Sequence, residues 1–159
     1  MPAKAVIIMG SERDLDFSHD IAKYLKLLGV NFEFRVASAH KSPEAVLGII
    51  KEFEAEKVVY ITVAGRSNAL SAFVDANSSK PVIACPPYSE KYSGADIYSS
   101  LRVPSGIGSV VTIEPEGAAI ATAKILALEE GGLAQSVKNY QASKRIELEK
   151  ANESVKKLK

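Results

Sequence analysis

The chain has 159 residues, of which 47% are hydrophobic and 25% charged, and its net charge is +1 with histidine neutral. This length predicts one domain with a hydrophobic core of its own, and the balanced charge gives no electrostatic reason to expect nucleic-acid binding. The single cysteine, Cys85, cannot form an internal disulfide, which fits a reducing cytoplasm. No apolar run approaches the roughly 18 residues needed to cross a membrane, and the N-terminus has no signal-peptide layout. We therefore expect a soluble cytoplasmic protein.

Short apolar runs along the chain predict β-strands. Their length and β-branched content favour strands buried on both faces, as in a parallel sheet. Glycine or proline closes several of them. The predicted strands cover residues 5–9, 32–37, 58–64, 81–85 and 108–113.

Amphipathic or alanine-rich segments between the strands predict helices. The first begins at Leu15 and ends at Gly29, a residue that commonly terminates helices. In the second, Ser42 can cap the helix and Pro43 can occupy its first position. Residues 88–94 are predicted as a polar loop. Further helices are predicted through residues 70–74, 95–101 and 115–128.

This alternation predicts a single doubly wound, flavodoxin-like parallel sheet in a three-layer α/β/α arrangement. Residues 1–132 would form that domain. Residues 133–159 would form a C-terminal amphipathic helix, because apolar residues recur there at spacings of three and four. Its apolar stripe needs a covering surface. A neighbouring subunit is the favoured one, and the alternative is packing against its own domain.

Three turns rich in small polar residues follow the first three predicted strands: Gly10–Asp14, Ser38–Lys41 and Gly65–Asn68. In a doubly wound sheet the carboxyl ends of the strands can form one crevice where ligands bind. His40 is one of only two histidines. Because histidine titrates near neutral pH, its position beside Lys41 suits proton transfer on an anionic substrate.

Other residues of the turns suit the binding of a phosphorylated sugar. Ser11 and amides at a helix N-terminus can hold a phosphate, to which Lys41 adds a charge. Asp14 could accept hydrogen bonds from sugar hydroxyls. Gly65 would let backbone donors approach a small anion or carboxylate.

Each residue also has a purely structural interpretation. Asp14 alone is better read as a helix N-cap, and Gly10 and Gly65 as turn glycines. A lone loop histidine is more often inert than catalytic, and Arg66 could be an ordinary salt-bridge partner. The convergence of three turns favours a site more than any single residue does.

Elsewhere the sequence predicts no chemistry. Cys85 lies in an apolar strand and is read as a buried structural thiol. His19 falls within a helix and is read as a surface or packing residue. No cluster has metal-ligand spacing, and neither a Walker-type lysine loop nor a G-x-G-x-x-G is present.

Several motifs, in order along the chain, resemble the PurE family of purine biosynthesis. The resemblance covers about residues 6–128, essentially the whole predicted domain. The run Ala-Gly-Arg-Ser-Asn and the lysine after His40 are similar to class II of the family, the carboxylase that also occurs fused in animal bifunctional enzymes. The matching motifs are Val6–Ser11, Ser38–Lys41, Ala64–Asn68, Pro81–Pro87, Ser99–Gly106 and Pro115–Ala119.

The resemblance implies carboxylation of 5-aminoimidazole ribonucleotide by free carbon dioxide, without ATP, biotin, metal or other cofactor. It implies proton transfer by His40, and contacts to the ribose phosphate from Ser11, Asp14 and Lys41. It places Ser38 and Gly65–Ser67 around carbon dioxide and the carboxylate, with Ala39 and Asn68 also among the substrate-binding residues. It also implies a homo-oligomer, typically an octamer, with active sites shared between subunits.

Two departures from the family pattern and two other functions stay open. Arg13 stands where many members have serine, and it could add attraction for phosphate or simply face solvent. Residues 69–72 contain no glycine, where class II relatives carry more, which leaves the shape of the carboxylate pocket open. The first alternative function is the class I mutase, which moves carbon dioxide from the exocyclic nitrogen of N5-carboxyaminoimidazole ribonucleotide to the ring carbon. The second is a flavodoxin-like module that binds a nucleotide and catalyses nothing.

Overall fold

The computed structural model describes residues 3–158. Its five strands form one parallel sheet in the order β2-β1-β3-β4-β5, which confirms the predicted flavodoxin-like architecture. The chain thus winds to one side of β1 and then to the other, and this reversal leaves a crevice beside the carboxyl end of β1. The strands are β1 (Lys4–Met9), β2 (Asn31–Val36), β3 (Val58–Val63), β4 (Val82–Ala84) and β5 (Val110–Val111).

Helices cover both faces of the sheet. Short 3₁₀ turns precede α1 and α4, at Glu12–Asp14 and Ala95–Ile97, and another lies at Glu90–Tyr92. The helices are α1 (Leu15–Leu27), α2 (Pro43–Glu52), α3 (Ala69–Ala76), α4 (Tyr98–Leu101), α5 (Pro115–Leu126) and α6 (Gly131–Lys156).

Alternate residues of β1 enter two separate cores. Ala5, Ile7 and Met9 pack with α1, α5 and the start of α6, whereas Val6 and Ile8 pack with α2 and α3. Burial on both faces is the reason the strand is apolar throughout, because neither side of a parallel sheet covered by helices meets water.

Helix ends follow the local sequence closely. At the end of α1, Gly29 has φ +78° and donates to the carbonyl of Lys26, while Val30 donates to that of Leu25. This is a Schellman motif, for which glycine is the preferred residue. Pro43 begins α2 as predicted, but the Ser42 hydroxyl makes no cap and instead interacts with Ser38.

The last strand is shorter than the predicted run of residues 108–113. Only Val110 and Val111 pair with β4. The amide of Gly108 donates to the carboxylate of Asp75 at 2.7 Å, so a side chain diverts it from the sheet. The predicted helix 95–101 is likewise divided into a 3₁₀ turn and the short α4.

The C-terminal helix α6 begins two residues before the expected boundary and packs on its own domain through its first turns. Leu133 and Val137 are buried there, and Tyr140 packs against the same core. Farther along, Leu148, Val155 and Leu158 are exposed. Lys159, the end of the predicted tail, and residues 1–2 lie outside the described residues. Within residues 3–158 no helix is both long and apolar enough to cross a membrane.

Candidate active site

The three polar turns surround one cleft of about 610 Å³ at the carboxyl edge of the sheet. Their convergence follows from the strand order, which sets the ends of β1, β2 and β3 side by side. Of the ten residues predicted for the site, only Asn68 is absent from the lining. The cleft is lined by Gly10, Ser11, Arg13, Asp14, Ser38, Ala39, His40, Lys41, Ala64, Gly65, Arg66, Ser67, Leu70, Pro87, Tyr88 and Ser89.

The first turn holds Asp14 as part of the cleft wall. Its Oδ2 accepts hydrogen bonds from the amide and the hydroxyl of Ser11, both at 3.0 Å. The carboxylate therefore folds back over the turn and does not cap α1, although Asp14 does occupy the N-cap position. Partial burial raises its pKa, while the bonds from Ser11 and the charge of Arg66 act in the opposite direction.

The second turn presents His40 at its tip. Ser38 and Ser42 tie its two ends together: the Ser42 amide donates to the Ser38 carbonyl at 2.8 Å, and the Ser38 amide donates to the Ser42 hydroxyl at 3.1 Å. The Lys41 amide also donates to the Ser38 hydroxyl. His40 is exposed, and within residues 3–158 its ring has no hydrogen-bond partner. Both ring nitrogens are therefore accessible to a ligand in the cleft.

The third turn is held from outside the cleft. Arg66 has φ +61°, a left-handed conformation that is unusual for a residue with a side chain. Asn68 is buried beneath the turn, where it accepts from the Ser71 amide at 3.2 Å and donates to the Ser100 hydroxyl at 2.9 Å. The structure therefore gives Asn68 a role in capping α3 and supporting the turn, and does not bring it into the lining.

A fourth wall comes from the segment after β4, which the sequence interpretation did not include. Pro87, Tyr88 and Ser89 line the cleft. Tyr88 packs so closely on Gly94 that a Cβ there would lie 2.8 Å from the Tyr88 ring. Strand β4 ends at the same sheet edge as the other three, so its position in a doubly wound sheet could have identified this wall.

The charged groups of the cleft favour an anionic ligand. Arg13, Lys41 and Arg66 all line it, against Asp14 as the one carboxylate. Arg13, left open from the sequence, thus contributes to the site. Three cations in a concave site raise the local concentration of a phosphate or carboxylate.

The remaining reactive residues lie elsewhere. Cys85 is fully buried, and burial raises the pKa of its thiol to about 12, in agreement with a structural role. His19 is exposed on α1 and packs edge-to-face against Phe34 with ring centroids 5.2 Å apart. Across residues 3–158, no three His, Cys, Asp or Glu side chains are grouped so that they could hold a metal ion.

Comparison with known families identifies this arrangement. Residues 4–147 match the model of the family described as AIR carboxylase. The chain belongs to the AIR carboxylase family. Membership confirms the PurE resemblance, and the match extends past the predicted domain boundary at residue 132 into α6.

Named relatives of this AIR carboxylase family member align with most of the chain. It is 58% identical over 153 residues to the phosphoribosylaminoimidazole carboxylase of Archaeoglobus fulgidus, covering 96% of this chain and 85% of that one. It is 44% identical over 125 residues to a bifunctional phosphoribosylaminoimidazole carboxylase/phosphoribosylaminoimidazole succinocarboxamide synthetase of Drosophila melanogaster, covering 77% of this chain and 29% of that protein.

A solved structure agrees with the fold. The crystal structure of Treponema denticola PurE has a TM-score of 0.94 and 44% identity to this chain, and the alignment covers 97% of this chain and 99% of that one. The sheet order and the helix positions are therefore those of a PurE protein.

Proposed function

We propose that this protein carboxylates 5-aminoimidazole ribonucleotide with free carbon dioxide, reversibly, to 4-carboxy-5-aminoimidazole ribonucleotide in de novo purine biosynthesis. The observation that carries the proposal is the single cleft in which His40 lies with three cationic side chains and the Gly65–Ser67 turn. A volume of about 610 Å³ is of the size usual for small-molecule sites.

The chemistry requires positioning and one proton transfer. The substrate is enamine-like, so its ring carbon next to the amino-bearing carbon attacks the carbon of carbon dioxide. As the new carbon–carbon bond forms, the electrons of one carbon–oxygen π bond move onto the oxygen, which gives the carboxylate. The ring carbon is then briefly tetrahedral, with its hydrogen still attached. Removal of that hydrogen as a proton returns the electron pair of the carbon–hydrogen bond to the ring and restores aromaticity. In the reverse direction the proton is returned and carbon dioxide leaves.

His40 is the residue we assign to this proton transfer. It stands at the tip of a turn tied between Ser38 and Ser42, and its ring nitrogens have no protein partner within residues 3–158. A general base needs an accessible nitrogen within hydrogen-bond reach of the reacting carbon, and the place of His40 in the cleft lining supports this assignment.

The other lining residues would hold the two ends of the substrate. Ser11, Asp14 and Lys41 would hold the ribose phosphate, with Arg13 adding positive charge. Ser38, Ala39, Gly65, Arg66 and Ser67 would surround carbon dioxide and the new carboxylate. Holding a weakly binding gas against a fixed ring supplies several kcal/mol of the barrier through orientation alone, on the order of what intramolecular reactions gain. Asn68 would support this group from below.

We further propose that the reaction is that of class II, and two observations support this. The third turn reads Gly65-Arg66-Ser67-Asn68, where class I proteins have a glycine- and alanine-rich segment with a histidine. Relatives named phosphoribosylaminoimidazole carboxylase include an animal bifunctional protein, and class II is the form found in such fusions.

The deciding assay incubates purified protein with aminoimidazole ribonucleotide and carbon dioxide, without ATP, and follows the carboxylated product. N5-carboxyaminoimidazole ribonucleotide is run as substrate in parallel. Product from the first mixture and little from the second supports the carboxylase. Turnover of the isomer alone would make the protein a mutase, and binding without turnover in both would make it a sensor.

A histidine pair supplies the matched test of the proton-transfer role. We expect His40→Asn to keep substrate binding and to lose about 10² to 10⁴-fold in turnover, the usual contribution of a general base. His19→Asn is the control, because His19 is the only other histidine and lies outside the cleft. Unchanged turnover in the His40 variant would exclude the role.

We also propose that the chain assembles with copies of itself, as an octamer, through residues that include the end of α6. Leu148 and Val155 are exposed apolar side chains on α6, beyond the first turns that pack on the domain, and Leu158 is an exposed apolar residue just after the helix ends at Lys156. Light scattering of the full chain tests this, with Leu148→Glu expected to weaken assembly. A monomer at micromolar concentration would contradict it.

A further inference from the structure

The turn that carries Arg66 is held in shape by a segment that does not line the cleft. The Arg66 amide donates to Asp96 Oδ2 at 2.8 Å, and the Asn68 amide donates to the Ser99 hydroxyl at 2.9 Å. Ser99 Oγ also lies 3.0 Å from the Arg66 carbonyl and 2.7 Å from that of Asp96, so it can donate to one of them at a time. These contacts join residues about thirty positions apart in sequence.

Asp96 opposes an unfavourable backbone conformation. At φ +61° the Cβ of Arg66 is crowded by its own backbone, so this conformation persists only where the surroundings enforce it. A carboxylate bound to the Arg66 amide is a charge-assisted contact and among the stronger ones available to a backbone group.

The conformation of Arg66 matters because its side chain lies in the cleft. Burial raises the pKa of Asp14, and the charge of Arg66 acts against that rise, so the guanidinium is near this carboxyl; both residues line the site. A change in the backbone at residue 66 would redirect this cation, whereas Asp96 itself is not among the lining residues.

We propose that Asp96 is a positioning residue for the reaction: its carboxylate keeps Arg66 left-handed and thereby keeps the guanidinium directed at the anionic substrate. The proposal rests on the proposed function for its kinetic consequences, though not for its structural one. Asp96 touches no reacting atom, so its effect passes entirely through Arg66.

The kinetic test compares Asp96→Ala with Asp96→Asn. We expect the alanine variant to lose about tenfold in kcat/KM for carboxylation, as for loss of one hydrogen bond to a charged group. The asparagine variant retains an oxygen acceptor for the Arg66 amide and should stay within about twofold of wild type. Asp75→Ala is the matched control. Asp75 also accepts a backbone amide, that of Gly108 at 2.7 Å, but Gly108 does not line the cleft, whereas Arg66 does.

Testing the Asp96 substitution in a second variant, one that lacks the Arg66 side chain, distinguishes positioning of Arg66 from general structural support by Asp96. Arg66→Gly removes the guanidinium and lets residue 66 take a positive φ without strain. In this background Asp96→Ala should change kcat/KM by less than about twofold. A tenfold loss that persists there would overturn the proposal, as would a loss of the same size in Asp75→Ala.

A crystal structure of the Asp96→Ala variant tests the structural part of the proposal without any measurement of enzyme activity. We expect φ of Arg66 to leave the left-handed region, and a retained φ near +61° would overturn the proposal. If the wild-type protein carboxylates nothing, the proposed function fails while this structure still decides the role of Asp96.

Discussion

Gly10 lines the cleft at a point where an added methyl group would meet a tight contact. It follows β1, and its amide donates to the Val63 carbonyl at 2.9 Å, which holds it against the end of β3. A Cβ at residue 10 would lie 3.2 Å from the Cβ of Ala64, closer than ordinary van der Waals contact. Gly10→Ala therefore forces the two chain segments apart by a few tenths of an ångström or distorts the first turn.

The expected loss follows from two opposing effects. Overpacking of a tight contact costs about 1–3 kcal/mol, and alanine offsets about 0.4–1 kcal/mol of it by restricting the unfolded chain. The free energy of unfolding should thus fall by about 1 kcal/mol. Ala64→Gly removes a buried methyl group and adds chain flexibility, so it should cost about 1.5 kcal/mol by itself.

The double variant tests the contact directly. With glycine at residue 64, the new methyl group at residue 10 has the space that it lacked. We expect the double variant to lose about 1 kcal/mol, less than the roughly 2.5 kcal/mol expected if the two losses were independent. Urea unfolding at one fixed protein concentration measures all the variants, since assembly would otherwise shift the midpoint.

Gly48→Ala serves as the control. Gly48 is exposed within α2, and a Cβ at this position would have no atom within 4 Å other than those of its own helix backbone and chain neighbours. Alanine there should stabilise the protein by about 1 kcal/mol through helix propensity. Losses at residues 10 and 64 that add to within about 0.5 kcal/mol would refute the reasoning, because independent sites show no such coupling.

Two further outcomes follow from groups whose ionisation the fold alters. Because burial raises the pKa of Cys85 to about 12, the thiol stays protonated at neutral pH. An aromatic disulfide reagent should therefore label it only as fast as the protein unfolds, and rapid labelling of the folded protein would contradict this. Burial raises the pKa of Asp14, so the ionised carboxylate is less favourable in the folded chain than in the unfolded chain. The resulting loss of folding stability is present above the folded pKa, and it disappears as the pH falls below the unfolded pKa. Asp14→Asn should therefore be more stable than wild type at pH 7, by a margin that shrinks toward pH 4, while KM rises; equal stability at both pH values would show that the carboxylate is well solvated.

Much of the fold could be predicted because the relevant patterns are local. The apolar run of β1 and the glycine that ends α1 depend on neighbouring residues, and the structure confirms both. The late start of β5 could not be predicted, since it depends on the bond from Gly108 to Asp75, 33 positions away.

For the site, the sequence by itself determined which chemical groups the three turns carry, and it predicted that the turns could meet. Parallel strands joined by helical crossovers place the turns that follow them at one sheet edge, and the structure shows that β2, β1 and β3 are neighbours in that sheet. What a side chain does within a turn depends on partners distant in sequence. Asp14 folds back on Ser11, Asn68 turns away from the cleft to Ser100, and Asp96 holds Arg66 left-handed. Only the tertiary structure could decide these roles, because a hydrogen bond depends on distance and direction in space.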